Sequence, residues 1–244
     1  MKILLIADIH SNWPALRAIQ ESFDLCLFVG DLVDYGPDPV PCIDWVRQNA
    51  ELSVRGNHDH AVAQRIQPKG SSGFRKLAVA TRPLQWDLID PFRMKFLARL
   101  PIQARIQIDG FTFQLLHATP RDPLDEYLGP DPAAWESRVS GIDADFLCVG
   151  HTHLPYEITV NGTRIINPGS VGQPRDGDPR AGYAIIENGQ VHFRKVSYDI
   201  DETLALMRKR HVEPWAVELT AEVLKSGGRV APEVFDRLTR SDAQ

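Results

Sequence analysis

KILLIADIHSN, residues 2–12, decides the fold, because a buried-type apolar strand ends directly at two polar residues, Asp8 and His10. A helix-like stretch beginning at Pro14 follows, and then a second buried-type strand, DLCLFV at 24–29. The alternation continues with a helical stretch and a short strand, at 41–49 and 52–54. This β-α-β-α-β order predicts a parallel sheet with helices on its faces.

The remainder of the chain adds a second set of strands and a helical tail. Helices are predicted from their apolar spacing over 74–82 and 90–99, and near 133–140. The Asp109-Gly110 turn predicts a hairpin, and the later strands are expected to be largely antiparallel. Residues 199–244 carry helical but no strand signals. We therefore predict one domain over 1–198 and a C-terminal helical extension over 199–244, packed on the core or on a partner chain.

Composition excludes several classes of protein. The 244 residues carry 27 basic and 32 acidic side chains, a net charge of −5, which argues against a dedicated nucleic-acid surface. The first apolar run is too short for a signal peptide or a membrane helix. Cys26, Cys42 and Cys148 are widely spaced, and we expect buried free thiols in a protein of the cytoplasm.

Polar residues of metal-ligand type follow five of the predicted strands. In an open α/β sheet, ligands bind at the carboxyl ends of the strands, so these residues are expected to converge there. They are Asp8 and His10, Asp31, Asn57 and His58, His117, and His151 with His153. Taken alone, the Asp8/His10 motif is weak, Gly-Asp at 30–31 is common at turns, GNHD at 56–59 is a moderate signal and GHTH at 150–153 a stronger one. Their joint placement at strand ends predicts a metal centre.

The ligand types indicate which metals the centre holds. Carboxylate and imidazole ligands without thiolates suit Mn²⁺, Fe or Zn²⁺, and argue against a structural cysteine-type zinc site. Without His58, which is left to spare, seven protein ligands remain, and seven exceed what one ion needs. Two ions that share a bridging carboxylate account for the number, and such pairs serve in-line displacement at phosphorus.

The motifs together resemble one known family. DIHSN (8–12), GDLVDYG (30–36), GNHD (56–59), His117 and GHTH (150–153) are similar to the calcineurin-like metallophosphoesterases. NPGSVGQPR, at 167–175, resembles a segment of the small prokaryotic phosphodiesterase branch of that family. The resemblance implies an α/β fold, a four-layer α/β/β/α sandwich of two mixed sheets, with the metal centre at the carboxyl edge of the sheets.

The resemblance also implies a role for each motif residue. Two divalent cations are expected, with Mn²⁺ preferred and Fe or Zn²⁺ as alternatives. The first ion would be held by Asp8, His10 and His153, the second by Asn57, His117 and His151, with Asp31 bridging them. His58 would be the acid near the leaving group, paired with Asp34. The implied reaction is hydrolysis of phosphodiester or phosphomonoester bonds by a metal-bridging hydroxide.

The substrate is less well defined by the sequence. Related protein phosphatases carry an arginine after GDxxD, where this chain has Tyr35, and tyrosine does not replace a bidentate phosphate clamp. We therefore favour a small phosphorylated substrate over a phosphoprotein or a dinucleoside polyphosphate, and a non-catalytic binding module remains an alternative. Predicted substrate contacts are Asn12, Arg121, Arg175 and Tyr127. An apolar face of the tail is an alternative surface for a homo-oligomer, and its residues are Trp215, Val217, Leu219, Val223 and Leu224.

Overall fold

Two five-stranded sheets form the centre of the protein in a computed structural model that describes residues 1–68 and 73–240. In chain order the strands are β1 (Lys2–Ile6), β2 (Leu25–Phe28), β3 (Ala50–Ser53), β4 (Gln103–Ile108), β5 (Phe111–Leu116), β6 (Phe146–Cys148), β7 (Pro155–Val160), β8 (Thr163–Pro168), β9 (Ala181–Glu187) and β10 (Gln190–Val196). The helices are α1 (Trp13–Arg17), α2 (Pro39–Asn49), α3 (Asn57–Ala63), α4 (Gly73–Leu88), α5 (Pro91–Arg99), α6 (Pro132–Val139), α7 (Ile200–Lys209), α8 (Pro214–Lys225) and α9 (Pro232–Arg240).

Both sheets are mixed. The first has the order β10-β9-β1-β2-β3. In it β1, β2 and β3 are parallel to one another, β9 is antiparallel to β1, and β10 is antiparallel to β9. The second has the order β4-β5-β6-β8-β7, in which β6 is parallel to both β5 and β8. The predicted hairpin at Asp109-Gly110 joins β4 to β5. The later strands are therefore less uniformly antiparallel than we expected, because crossovers place β6 between two parallel neighbours.

The sheets pack face to face between two layers of helices. Ile3 and Leu5 of β1 point into the apolar layer between the sheets, with Phe113 and Phe146 of the second sheet. Leu4 and Ile6 point the other way, into a core shared with α1 and α2. On the far side, α6 packs its buried Trp135 against the second sheet. The predicted four-layer α/β/β/α sandwich is confirmed, and burial of both faces of β1 explains its uninterrupted apolar sequence.

The C-terminal helices pack on the rest of the same chain. Leu204 and Met207 of α7 and Leu219 of α8 share one buried cluster with Leu77 of α4. The apolar face considered for a partner chain is therefore covered internally, since its members Val217, Leu219, Val223 and Leu224 are buried. Residues 241–244 of the predicted extension lie outside the described residues, and the domain boundary at 198 stays a prediction.

Two helices differ from their predicted extents, and one further helix was not expected from the sequence. The helix beginning near Pro14 ends at Arg17, because a tight turn from the Ile19 amide to the Leu16 carbonyl brings Ile19 into the core. α3 was not predicted. α4 runs through Pro83 to Leu88. Proline has no N–H to donate to the carbonyl of Val79, four residues earlier, and Val79 lies on an exposed face where water can reach it.

Among the described residues, no helix has both the length and the apolar character needed to cross a membrane.

Candidate metal centre and active site

The polar residues at the strand ends converge at one edge of the sandwich. They form two groups, and within each group the ligand atoms all lie within 4.8 Å of one another. The first group contains Asp8, His10 and His153, and the second contains Asp31, His117 and His151. The structure therefore brings together residues that follow β1, β2, β5 and β6, as the carboxyl-edge rule predicts.

Asp31 belongs to the second group and also faces the first. Its Oδ2 is 3.8 Å from Nε2 of His10 in the first group and 3.2 Å from Nε2 of His117 in the second. In the first group, Nε2 of His153 is 3.5 Å from Oδ1 of Asp8. One carboxylate oxygen thus faces both sets of imidazoles, which is the arrangement a bridging ligand requires.

Backbone carbonyls set the tautomer of three histidines. Nδ1 of His117 donates to the Val29 carbonyl at 2.8 Å, and Nδ1 of His10 to that of Val33 at 3.2 Å. Nδ1 of His153 lies 2.5 Å from the carbonyl oxygen of Gln173. Each pairing leaves Nε2 as a lone-pair donor, as for metal-ligating histidines oriented by a second hydrogen bond.

Several buried polar atoms of the centre lack partners within the protein. Nε2 of His10 and Nε2 of His153 face each other at 3.2 Å, although both are acceptors in these tautomers. Asp8 Oδ2, Asn57 Oδ1 and His117 Nε2 are buried without a hydrogen bond. A buried polar atom without a hydrogen bond lowers the stability of the fold by about 1–3 kcal/mol, so a ligand that contacts these atoms would remove this cost. A divalent cation satisfies carboxylate, amide and imidazole acceptors alike, so the residues present fit the two-ion centre.

Burial and the neighbouring charges shift the pKa values of the ligand residues in both directions. Burial lowers the pKa of His10 and of His151 to about 3, which keeps both imidazoles neutral. Burial raises the pKa of the Asp8 carboxyl to about 7. Burial alone would lower the pKa of His117, but the carboxylates of Asp31 and Asp8 raise it to about 9. Asp8 and His117 would have to lose these protons in order to hold a cation.

The loops of the centre are conformationally strained. Thirteen described residues other than glycine have a positive φ, and eight of them lie in these loops. The eight are Asp8, His10, Ser11, Asp31, Asp34, Tyr35, His151 and His153. Backbone of this kind costs about 1–3 kcal/mol per residue and clusters at functional sites.

The predicted acid and its partner are also in contact. Nδ1 of His58 donates to Oδ2 of Asp34 at 2.9 Å. The same oxygen accepts from Nε and Nη2 of Arg82 at 2.8 and 2.7 Å. Burial raises the pKa of Asp34, but His58 and Arg82 lower it by more, and the carboxyl stays ionised. Burial lowers the pKa of His58, whereas Asp31 and Asp34 raise it, and the net shift is upward.

Two residues that matter to the centre were not predicted. Asp59 accepts from the backbone N–H groups of Asp31 and Leu32 at 2.9 and 2.8 Å, and so fixes the loop of the bridging ligand. Its carboxylate also accepts a hydrogen bond from the Gly56 amide at 3.0 Å. An acidic residue three positions after the start of a helix is a capping signal that could have identified it. Arg82 lies far along the chain within α4, and no motif signals it.

A cavity of about 920 Å³ opens in front of the ligands. Asp31, His58 and His151 line its floor, together with Tyr35. Tyr35 packs its ring 4.6 Å from that of His58 and 4.7 Å from that of His10. The position that carries a phosphate-binding arginine in protein phosphatases is thus a buried aromatic side chain here.

Two of the four predicted substrate contacts lie at the cavity. Arg175 lies over the Phe74 ring at 4.1 Å, and its Nε has no partner. Tyr127 lies across the cavity, where its ring packs 5.7 Å from that of His151.

The other two predicted contacts point elsewhere. Arg121 is exposed and pairs with Glu126, outside the cavity lining. Asn12 caps α1 and bonds to the Gly172 carbonyl at 2.9 Å and to Thr203 Oγ1 at 3.0 Å. Their contact with substrate stays a prediction, which this geometry does not favour.

A family model described as the calcineurin-like phosphoesterase superfamily domain matches residues 1–190. The chain belongs to this superfamily. The calcineurin-like phosphoesterases are metal-dependent, and the described His/Asp groups could hold the metal. The present phosphoesterase is 32% identical over 241 residues to an uncharacterized protein of Methanocaldococcus jannaschii, covering 88% of this chain and 96% of the relative. It is 25% identical over 205 residues to phosphodiesterase YfcE of Escherichia coli K12, covering 77% and 88% of the two chains.

A solved structure supports the same assignment. The crystal structure of a metallophosphoesterase from Sphaerobacter thermophilus matches this phosphoesterase with a TM-score of 0.78 and 33% identity. The match covers 93% of this chain and 99% of that chain, so it includes most of the helical extension as well as the sandwich.

Proposed function

We propose that the protein hydrolyses phosphodiester or phosphomonoester bonds of small phosphorylated substrates with two divalent cations, Mn²⁺ by preference. The position of Asp31 carries the proposal, because one carboxylate oxygen faces His10 of one ligand group and His117 of the other. The buried free thiols of Cys26, Cys42 and Cys148 fit a reducing compartment, and we place the protein in the cytoplasm.

The ligand groups define where the cations would be held. Asp8, His10 and His153 would hold the first, and Asn57, His117 and His151 the second, with Asp31 shared. When bound, two such ions activate water and neutralise the charge on the phosphoryl oxygens. Arg175 lines the cavity, and its guanidinium suits a further contact to a phosphoryl oxygen.

His58 is the proposed proton donor. Because Nδ1 is bonded to Asp34, Nε2 is the ring nitrogen left for the substrate. Hydroxide, formed when water loses one proton to solvent, bonds to phosphorus as the bond to the leaving oxygen breaks. The leaving oxygen takes the proton from His58 Nε2, and a proton from solvent then restores the ring. Asp34 keeps the ring oriented and stabilises its protonated form.

The His58→Ala variant tests this assignment. We expect turnover of a diester with an alkyl leaving group to fall by about 10²- to 10⁴-fold, the usual contribution of a general acid. Metal content, measured by elemental analysis, should remain unchanged, since His58 is not in either ligand group. His192→Ala, in β10 and away from the cavity, is the matched control and should retain full turnover. Loss of metal from His58→Ala would mean that His58 is a ligand.

A substrate panel separates the alternatives. Rates on bis(p-nitrophenyl) phosphate, p-nitrophenyl phosphate, a phosphopeptide and a dinucleoside polyphosphate should favour the first two. The buried Tyr35 ring, where protein phosphatases carry arginine, supports this order. A preference for the phosphopeptide would identify a protein phosphatase. A metal content near zero, without activity after Mn²⁺ addition, would identify a non-catalytic binding module.

A further inference from the structure

Arg82 of α4 is fixed inside the site by all of its nitrogens. Nε and Nη2 donate to Asp34 Oδ2, and Nη1 donates to the Ile66 carbonyl at 3.1 Å. The side chain is only 8% exposed although it borders the cavity. Three of its five N–H groups are thus bonded within the protein, and these bonds fix the position of the guanidinium against Asp34.

Asp34 depends on this arginine for its ionised state. It is fully buried, and its Oδ1 accepts from the Tyr35 amide at 3.0 Å and from Thr81 Oγ1 at 3.2 Å. Its Oδ2 is shared between Arg82 and His58. A buried carboxylate is strongly disfavoured without a cationic partner. Arg82 supplies that partner from a rigid helix, in the planar fork geometry that suits a carboxylate.

We propose that Arg82 is a positioning residue for phosphoester hydrolysis, which fixes Asp34 as the acceptor that orients the His58 ring toward the leaving oxygen. The inference rests on the proposed role of His58 as proton donor. Arg82 acts through Asp34 and does not meet the reacting atoms.

The alternative is that Arg82 only anchors α4. However, α4 has other anchors at the same place. Gln85 accepts from Ser11 Oγ at 2.7 Å and donates to the Gly36 carbonyl at 2.9 Å. Leu77 is fully buried in the cluster formed with the C-terminal helices. Replacing Arg82 should therefore leave α4 in place, and its effect on His58 can be measured.

Arg82→Met is tested on two diesters that differ in their leaving group. A p-nitrophenolate leaves without protonation, whereas an alkoxide needs the acid. We expect kcat to fall about 10- to 100-fold for the diester with the alkyl leaving group, and less than about threefold for the diester that releases p-nitrophenolate. The first loss is part of the 10²- to 10⁴-fold that a general acid contributes. The double variant His58→Ala/Arg82→Met should be no slower than His58→Ala, because both act on one proton transfer.

A matched control and a second variant isolate the effect. Arg93→Met removes a comparable arginine from α5, which pairs with Asp44 and Asp90 outside the cavity, and should not change the ratio of the two rates. Arg82→Lys keeps the charge without the fork, and we expect an intermediate ratio.

An NMR measurement on the metal-free protein gives a readout independent of turnover. The Nδ1–H proton of His58, bonded to a buried carboxylate, should give a downfield, slowly exchanging signal. The signal should persist in Arg93→Met and be lost or shifted in Arg82→Met.

The outcomes separate this inference from the function on which it rests. If His58→Ala slows both diesters equally, the acid role of His58 is wrong and the inference falls with it. If His58→Ala is selective while Arg82→Met slows both diesters equally, or adds to His58→Ala, Arg82 is merely structural and this inference alone is overturned. If the methionine variant does not fold, Arg82→Lys decides by the same ratio and the same proton signal.

Discussion

At the scale of single residues, the proposed ligands depend on backbone conformations that most residues avoid. Asp8, His10, Asp31, His151 and His153 all have a positive φ. This conformation turns the chain sharply at the end of each strand, so that neighbouring side chains reach one point. The strain is tolerated because buried hydrogen bonds, such as those of Asp59 to the Asp31 loop, hold the backbone.

Asp31→Asn and Asp34→Asn should separate metal binding from proton transfer. We expect Asp31→Asn to lose both cations, because it removes the charge shared by the two ligand groups. Asp34→Asn should keep both cations and lose turnover, since Asp34 contacts His58 and not the ligands. Elemental analysis and kcat measure the two effects. An Asp31→Asn protein with two bound ions would remove Asp31 from the bridging role.

Gly56 leaves no room for a side chain beside the bridging residue. A Cβ at this position would overlap Oδ1 and the backbone nitrogen of Asp31. We expect Gly56→Ala to lower the free energy of unfolding by about 1–3 kcal/mol or more, with loss of metal. Gly129→Ala, which meets no atom within 4 Å, is the matched control and should be near neutral in thermal unfolding. Equal stability of the two variants would contradict the close approach.

The sequence locates these residues better than it orients them. Asp8, Asp31, His117 and His153 were predictable, because each follows an apolar strand and strand ends share an edge. The direction of the Asn12 side chain was not, because a motif gives a position along the chain and not the neighbours that a side chain meets. Arg82 could not be predicted for the same reason, because it lies 48 positions after Asp34 in the sequence and meets it only in the folded chain.

At the scale of elements, α4 connects the site to the C-terminal helices. One side of α4 presents Thr81 and Arg82 to Asp34, and the adjacent side buries Leu77 against α7 and α8. The apolar spacing predicted this helix only up to Pro83, where a helix is normally expected to stop. Its continuation depends on packing and hydration around it, which local sequence does not reveal.

Leu219 of α8 should stabilise the single chain. It is fully buried in the cluster with α4, so Leu219→Ala should cost about 2–5 kcal/mol of unfolding free energy. Val79→Ala, on the exposed face of α4, should change stability by less than about 0.5 kcal/mol. The melting temperature of Leu219→Ala should not depend on protein concentration. A marked dependence would instead favour a dimer interface.

At the scale of the whole molecule, the sandwich brings loops from both sheets to one edge. Asp8 and Asp31 come from the first sheet, and His117 and His151 from the second. The α/β class and the parallel order of β1, β2 and β3 followed from the sequence alone. The pairing of β6 with both β5 and β8 did not, since β6 has only three residues and its neighbours are set by long-range contacts.

Cation binding should therefore stabilise the entire fold. Because the ligands join both sheets, Mn²⁺ at 100 times its Kd should add about 2.7 kcal/mol per site to chelator-treated protein. For a chain of this size that corresponds to a rise in Tm of about 5–10 °C for each occupied site. Differential scanning calorimetry measures the shift, and Asp31→Asn should not show it. Identical melting with chelator and with Mn²⁺ would argue against a cation centre.

The packing of α4 on the C-terminal helices has a consequence for how such a protein can diversify. Mutations in the tail reach Arg82, Phe74 and the His58 flank of the cleft through α4, whereas α4 contributes no residue to either ligand group. Selectivity for the departing alcohol and affinity for the metals can thus be tuned separately within one polypeptide.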